Sequence, residues 1–183
     1  MNKLTLAFAV TTALACAIPA APARATFEPV EAKAAASEAA ALARMHMEEA
    51  FGDAALKPGQ YRWKEGVRAS GPARLVVSLG DQRAYLYRGE ALVAVSTISS
   101  GTEKNPTPTG IFPILAKKTL HHSRKYDNAP MPFMQRLDQY GIALHAGVNP
   151  GYPASHGCIR LPAKFAAKLY GVTQVGSEVL IGA

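Results

Sequence analysis

Short apolar runs separated by turn residues characterise the chain from residue 74 onward. The first three runs, at residues 75–79, 83–87 and 92–98, are separated by turns that contain Gly80 and Gly89. Runs of this length that are rich in β-branched and aromatic residues are typical of strands, and glycine turns at this spacing are typical of hairpins. We therefore predict an antiparallel meander over the three runs.

Later apolar runs predict three more strands and one short helix. Pro113 lies inside the first of these strands, which favours a sheet edge or a bulge because proline has no N–H to donate. The strands are predicted at residues 111–115, 142–145 and 179–181, and the helix is predicted to begin near Pro162 and to end at Gly171.

Residues 117–139 show no clear hydrophobic period and contain Pro130 and Pro132. A long irregular segment inside a compact domain is often a lid or a binding loop, which is our prediction here. The pair His121-His122 within it is interpreted as polar loop residues and not as metal ligands.

Residues 28–51 are rich in alanine and in other strong helix formers, and Gly52 is a plausible helix stop. The apolar side chains of this segment are mostly small, so we expect the helix to bury little. The segment is interpreted as a helical spacer or a helix laid weakly on the body, with docking of a partner as an alternative. Residues 66–72 are predicted to form a loosely structured link.

An export signal is predicted in residues 1–25. Lys3 precedes an uncharged apolar stretch at residues 4–17, and Ala23 and Ala25 supply small residues at the two positions that a signal peptidase reads. The apolar stretch is too short to span a bilayer comfortably. We therefore expect an exported protein of the periplasm or cell envelope.

Cys16 offers an alternative, because residues 12–16 loosely resemble a lipoprotein cleavage site at which Cys16 would become a lipidated N-terminus. A second plausible cleavage site follows it, so we favour the unanchored form. In either case Cys16 is no disulfide partner for Cys158. An unpaired cysteine in an oxidising compartment is a liability unless its thiol is needed.

Composition and charge narrow the choice of partner. The 183 residues, of which 49% are hydrophobic, are enough for one domain of ordinary size plus accessory segments. The formal charge of +7 loses two positive charges if Lys3 and Arg24 are removed with the signal. A mild basic excess suits an anionic polymer or surface, although scattered surface charge explains it equally well. Because basic residues form no long run and do not alternate with aromatic residues, we expect no nucleic-acid partner.

The candidate chemistry lies in residues 155–160, Ser-His-Gly-Cys-Ile-Arg, and in an upstream histidine. A lone thiol with a nearby imidazole is typical of a cysteine nucleophile, because the imidazole can take the thiol proton. His145 and His156 are both candidate bases for Cys158. We favour His145, because it ends a separate predicted strand and could approach the thiol from across a sheet.

Gly157 and Arg160 have secondary roles in this interpretation. Gly157 could let its own amide and that of Cys158 point at one spot, where a carbonyl oxygen becomes negative during acyl transfer. Arg160 suits a substrate carboxylate, and a structural ion pair is its alternative role. A metal site built from His145, His156 and Cys158 is disfavoured, because no paired ligand spacing supports it.

At these residues the sequence resembles the L,D-transpeptidase catalytic domain family (YkuD-type), which acts on bacterial peptidoglycan. The matching segments, in the family's order, are residues 107–112 (Thr-Pro-Thr-Gly-Ile-Phe), His145 after its apolar run, and residues 155–161 (Ser-His-Gly-Cys-Ile-Arg-Leu). The Ser-His-Gly-Cys run with an upstream histidine is highly specific, whereas Thr-Pro-Thr-Gly alone is weak.

The resemblance implies a mainly β, sandwich-like catalytic domain at residues 74–183 with one or two short helices. An Ala-rich helical segment and linker at 26–73 would precede it. Cys158 is implied as nucleophile and His145 as base, oriented by the backbone carbonyl of Ala146. The residues implied to frame the oxyanion site and its supporting turn are His156, Gly157, Cys158 and Ser155. No metal or organic cofactor is implied.

In such enzymes the thiolate attacks the carbonyl of the L-centre in an L–D bond of a stem peptide, and the terminal D-residue leaves a thioester behind. An amine from a second stem or a protein, or water, then resolves the thioester. The implied partners are peptidoglycan stem peptides and, as an alternative acceptor, a cell-envelope protein. Two other functions stay open: an L,D-carboxypeptidase using the same cysteine, and a non-catalytic wall-binding module, against which the intact Cys158 and His145 argue.

The sequence departs from the family pattern at two places. Nine residues separate His145 from Ser155, fewer than in many members, and Ala163 and Phe165 stand where Asn and Asp are often found. From the short spacing we expect the loop that roofs the site to differ, and acceptor choice to differ with it. From Ala163 and Phe165 we expect different packing beneath the nucleophile.

Overall fold

The computed structural model of the protein describes residues 29–52, 55–66 and 70–183. In this part of the chain, ten strands form two sheets, and two helices pack against them. In chain order the elements are α1 (Val30–Phe51), β1 (Tyr61–Trp63), β2 (Ala73–Ser78), β3 (Arg83–Arg88), β4 (Ala91–Thr97), β5 (Gly110–Pro113), β6 (Ala116–His122), β7 (Pro130–Arg136), β8 (Ala143–Ala146), β9 (Ile159–Leu161), α2 (Ala163–Val172) and β10 (Glu178–Gly182).

The larger sheet has the strand order β1-β4-β3-β2-β10-β5. Its strands β2, β3 and β4 pair antiparallel in sequence, which confirms the predicted meander. Strand β5 pairs only with β10 in this sheet, so Pro113 occupies an edge strand, as predicted. The smaller sheet has the order β6-β7-β8-β9, in which β8 and β9 run parallel.

Apolar side chains from both sheets and from α2 form the main core. Alternate residues of the central strands point into it, and Leu75, Leu86, Leu144, Ile159 and Phe165 are each at most 1% exposed. Because one face of each sheet is buried against the other, the strand register is strongly specified. The predicted mainly β, sandwich-like fold is confirmed.

Helix α1 has the predicted extent and ends at Gly52, but the expectation of a weakly attached helix is wrong. It packs on the outer face of the larger sheet and buries Ala36, Ala40 and Ala43 almost completely. Small side chains permit this, because they let the helix backbone approach the strands closely. A Cβ atom at Gly182 of β10 would lie only 2.6 Å from the Ala36 carbonyl oxygen.

Strand β1 was not predicted from the sequence. Its three residues pair antiparallel with β4, and Tyr61 and Trp63 contact the ring of Phe165 on α2. The segment assigned to a linker between 52 and 74 therefore contains an edge strand of the larger sheet.

The prediction of an irregular segment at 117–139 is also wrong, because β6 and β7 form an antiparallel hairpin there. Two features conceal it in the sequence. Most β6 side chains are exposed or half-buried, so hydrophobic alternation is weak. Phe133 has a left-handed φ of 55°, which breaks the two-residue alternation and lets Met131 and Met134 contact the same apolar cluster.

The predicted signal at residues 1–25 and the alternative lipidation site at Cys16 lie outside the described residues. Where the chain is described, neither helix combines the length and apolarity needed to cross a bilayer.

The close approach of α1 to β10 predicts a specific loss of stability. Gly182→Ala places a methyl group 2.6 Å from the Ala36 carbonyl oxygen and 2.7 Å from Ser37 Cα. The helix must move away, so we expect the free energy of unfolding in urea to fall by roughly 1–3 kcal/mol.

Gly171→Ala is the matched control, because Gly171 lies in α2 and a Cβ there meets nothing within 4 Å. We expect it to be neutral or to stabilise by up to about 1 kcal/mol. Equal free energies of unfolding for the two variants would contradict the close packing of α1.

Candidate active site

The parallel pairing of β8 with β9 brings the predicted nucleophile and base to one face of the smaller sheet. His145 is paired with Arg160, and Leu144 is paired with Ile159. Leu144 and Ile159 point into the core and are fully buried. Because side chains alternate along a strand, His145, Arg160 and the preceding Cys158 project from the opposite face. All three line one cleft there.

The turn that carries Cys158 is held by its own serine. Ser155 Oγ accepts a hydrogen bond from the Gly157 N–H at 3.1 Å and donates one to the Cys158 carbonyl. Gly157 has a φ of +108°, and a Cβ there would lie 2.7 Å from Ile142 Cδ1. The predicted support of the turn by Ser155 is present, and the positive φ requires glycine at position 157.

Thr107 anchors the same turn from the loop before β5. Its buried hydroxyl accepts a hydrogen bond from the Gly101 N–H at 2.8 Å and donates one to the Gly157 carbonyl at 2.8 Å. The Thr-Pro-Thr-Gly segment was recognised in the sequence without a role. In the structure its first threonine, Thr107, links the turn of Cys158 to the loop before β5.

The imidazole of His145 is buried and oriented by its neighbour. Its Nδ1 lies 2.9 Å from the carbonyl oxygen of Ala146, which is the contact implied for this residue. A carbonyl oxygen can only accept, so Nδ1 carries the proton and Nε2 of the neutral ring can receive one. Burial lowers the pKa of His145. The hydrogen bond to Ala146 raises it, and the positive charge of Arg160 lowers it further. The ring is therefore neutral at pH 7.

The thiol of Cys158 is partly buried against Met131, Met134 and Ala143. Its Sγ lies 3.6 Å from the carbonyl oxygen of Gly141, to which the thiol can donate. Burial is the main effect on the thiol and raises its pKa. The Ala143 N–H and, more weakly, the Arg160 guanidinium lower it, whereas the Asp138 charge raises it. These two directions favour a thiol and a neutral imidazole over a thiolate–imidazolium pair.

Asp138 organises the turn that leads into β8 and was not identified from the sequence. The carboxylate is 5% exposed, and its Oδ1 accepts hydrogen bonds from the N–H groups of Tyr140, Gly141 and Ile142 at 2.8–2.9 Å. This turn presents the Gly141 carbonyl to Cys158. An Asp followed two to four residues later by Gly is a common turn pattern, which could have indicated it.

His156 lies at the surface of the cleft, where its ring stacks on Tyr126 with the centroids 4.4 Å apart and the planes 16° from parallel. Tyr126 belongs to the connection between β6 and β7. This stack joins the tip of the hairpin to the turn of Cys158. It also occupies one face of the His156 ring, whereas His145 has a fixed ring orientation that suits a base.

The expected oxyanion site needs one correction. We predicted that the N–H groups of Gly157 and Cys158 point at a common spot. The Gly157 N–H instead donates to Ser155 Oγ. The Gly157 N–H donates to Ser155 because the serine hydroxyl lies inside the same tight turn.

Arg160 has no carboxylate partner in the described chain, where the ion pairs join Arg44 to Asp81 and Lys168 to Glu65. Its aliphatic stem packs against Gly147, at which a Cβ would come within 3.0 Å of Arg160 Cγ. Arg160 and Cys158 both line the cleft. The alternative of a structural ion pair is not supported.

The cleft has a volume of about 1110 Å³ and is walled by the β6–β7 hairpin, by β8 and by the turn of Cys158. It is large enough for a peptide of several residues. No group of three or more His, Cys, Asp or Glu side chains in residues 29–52, 55–66 and 70–183 is placed to hold a metal ion.

Residues 72–181 match the family described as YkuD, L,D-transpeptidase catalytic domain. This match extends over more than half of the chain, and the fold and the arrangement of the cleft agree with it. The chain belongs to this family. No curated protein in the comparison matches it.

Solved L,D-transpeptidases share the fold. One from Mycobacterium smegmatis is 23% identical over 61% of this chain and 58% of its own, with a TM-score of 0.56. L,D-transpeptidase 3 from Mycobacterium tuberculosis, in complex with a faropenem-derived adduct, is 18% identical over 61% and 60%, with a TM-score of 0.56. One from Stackebrandtia nassauensis is 19% identical over 76% and 65%, with a TM-score of 0.57. The chain thus spans less than two thirds of each.

The electrostatics of Cys158 predict its reactivity with pH. Because burial raises the thiol pKa, alkylation of Cys158 by iodoacetamide should reach half its maximal rate at a higher pH than alkylation of a free cysteine. Arg160→Gln removes a cation that stabilises the thiolate, so the midpoint should move further up. The rate is measured by mass spectrometry of the peptide that contains Cys158.

Arg62→Gln is the control, since Arg62 is exposed on β1 in the other sheet and should leave the midpoint unchanged. A midpoint below that of a free cysteine would contradict the neutral thiol. A downward shift in Arg160→Gln would contradict the stabilisation of the thiolate by Arg160.

Proposed function

We propose that the protein is a peptidoglycan L,D-transpeptidase that forms an acyl-thioester on Cys158 with a stem peptide and transfers the acyl group to an amine. One observation carries the proposal. Cys158 and His145 share one face of a cleft, and the contact from His145 Nδ1 to the Ala146 carbonyl leaves Nε2 as the proton acceptor. The family supports stem peptides as the substrate class.

In the first step, His145 Nε2 takes the proton from Cys158 Sγ as the sulfur attacks the carbonyl carbon of the L-centre. The S–C bond forms, and the carbonyl oxygen becomes negative. The C–N bond to the terminal D-residue then breaks, and the imidazolium returns its proton to the leaving amine. Because burial favours the neutral form of both groups, the charge pair develops during attack.

The developing oxyanion needs donors at the turn of Cys158. Because the Gly157 N–H already donates to Ser155, we assign the main hydrogen bond to the oxyanion to the Cys158 N–H. Arg160 lies two residues further along the chain and can hold a carboxylate of the donor stem. Its lack of a carboxylate partner among the described residues supports this role.

In the second step an amine attacks the thioester, His145 takes a proton from it, and Cys158 is released as a thiol. The amine comes from a second stem or from a cell-envelope protein. Water at the same step would make the enzyme an L,D-carboxypeptidase, which leaves tripeptide stems. The two outcomes differ in product and are separated by the experiment below.

We also propose that the protein is exported and acts in the periplasm or cell envelope. The support is the pattern of residues 1–25, together with a substrate class that lies outside the cytoplasm. Sequencing the N-terminus of the protein recovered from its native cell should show a start after residue 25. A lipidated Cys16 at the N-terminus would support the anchored form, and an intact Met1 would contradict export.

Incubation with tetrapeptide-bearing muropeptides, followed by mass spectrometry, tests the activity. We expect cross-linked dimers with loss of the terminal D-residue. Cys158→Ala should abolish the product, and His145→Gln should lower the rate roughly 10²- to 10⁴-fold, because the base is removed.

His122→Gln is the matched control, since His122 is exposed at the end of β6 and is not part of the cleft wall. Tripeptide products without dimers would identify the carboxypeptidase. Unchanged turnover in Cys158→Ala would overturn the mechanism.

A further inference from the structure

The cleft wall carries positive charge without compensating acids. Five Lys or Arg side chains line it, at positions 118, 124, 125, 136 and 160, and no Asp or Glu is among the described residues that do so. The whole chain has a formal charge of +7 from 20 basic and 13 acidic residues. Charge is therefore concentrated at the site rather than scattered evenly.

The strand register places three of these cations on the same face as the nucleophile. Arg136 pairs with Ala143 on β8, and the register of β8 with β9 continues this row toward Cys158. Lys118 pairs with Met134 in the next row, which continues toward His145 and Arg160. Cations thus lie on both sides of the position at which a scissile carbonyl would bind.

Neighbouring residues show that this orientation is set by the fold. Lys117 Nζ donates to the carbonyl oxygen of Tyr170 at the end of α2, so its side chain faces the interior side of the sheet. Gln135 accepts a hydrogen bond from Thr173 on that same side. Lys118 and Arg136 each follow one of these residues, and alternation turns them toward the cleft.

No acid forms a described ion pair with these cations. Asp138 directs Oδ1 at three backbone amides beneath the cleft, and the described ion pairs involve neither Lys118 nor Arg136. His121 reports the local potential: burial lowers its pKa first, and Lys118, Arg124 and Arg136 lower it further. Like charges left together in a cleft are typical of a site for an anion.

We propose that Lys118 and Arg136 are specificity residues that bind free carboxylates of the stem peptide, so that the cleft discriminates against stems in which these groups are carboxamides. The inference rests on the proposed function and names the form of its substrate. Strand spacing puts Arg136 about 10 Å and Lys118 about 14 Å from the position of Cys158, measured across the sheet. These distances suit carboxylates within about three residues of the scissile carbonyl.

The preference should be moderate, because both side chains are exposed. An exposed charge pair of this kind changes binding roughly two- to fivefold. Two such sites would give a combined preference of roughly tenfold for the free acid. The preference should shrink as ionic strength rises, because exposed charges are screened.

The experiment compares two synthetic tetrapeptide donors that differ only in free carboxylates against carboxamides upstream of the scissile bond. We expect wild-type kcat/KM to favour the free acid, and we expect the ratio to fall in Arg136→Gln, in Lys118→Gln and most in the double variant. Arg62→Gln, on the other sheet, should keep the wild-type ratio.

Binding of the same two peptides to Cys158→Ala, measured by calorimetry, separates this inference from the proposed function. Selective binding without turnover of either peptide by the wild-type enzyme would contradict the transpeptidase and retain the charge selectivity. Equal affinity for both peptides, or an unchanged ratio in the double variant, would overturn the selectivity whatever the enzyme does.

Discussion

The pairing of β8 with β9 is the constraint on which the site depends. Three residues of β9 pair in parallel with β8, and this alone decides that Cys158 and His145 share a face. If β9 shifted by one residue against β8, the side chains of Cys158 and Arg160 would turn into the core. The core prevents such a shift, because Leu144 and Ile159 fill it without exposure. Thr107 and Ser155 then fix the turn before β9 through hydrogen bonds to the backbone of Gly157.

The contacts that position Cys158 also favour its neutral form. The apolar contacts that position Cys158 also remove water from it, and this loss of hydration raises the thiol pKa more than the Ala143 N–H and Arg160 lower it. The same burial lowers the pKa of His145. A proton transfer during attack fits these directions, whereas a permanent ion pair would have to be formed against the desolvation of both partners.

The parts that could be predicted from the sequence are those with a local signal. The meander from 75 to 98 has both apolar runs and turn residues, and Cys158 and His145 are distinctive residue types in a specific order. The parts that could not be predicted depend on tertiary contacts. The alanines of α1 are buried because the helix lies close to Gly182 on β10, and no local sequence pattern indicates this contact. One face of the β6–β7 hairpin is polar because it walls the cleft. Lys118 and Arg136 occupy positions at which apolar residues would have made the alternation of a strand visible.

The positive charge of the cleft has to be explained by something other than activation of the thiol. A cation beside a cysteine ordinarily favours the thiolate. Here Arg160 is the weakest of the influences on Cys158 and does not reverse the effect of burial. Arg136 lies two strands and Lys118 three strands from β9, and screening by water further reduces their effect on the sulfur. A charge that does little for the nucleophile yet has no acidic partner in the described cleft wall is best accounted for by the ligand. Burial therefore sets the chemistry of Cys158, and the exposed cations act on what binds beside it.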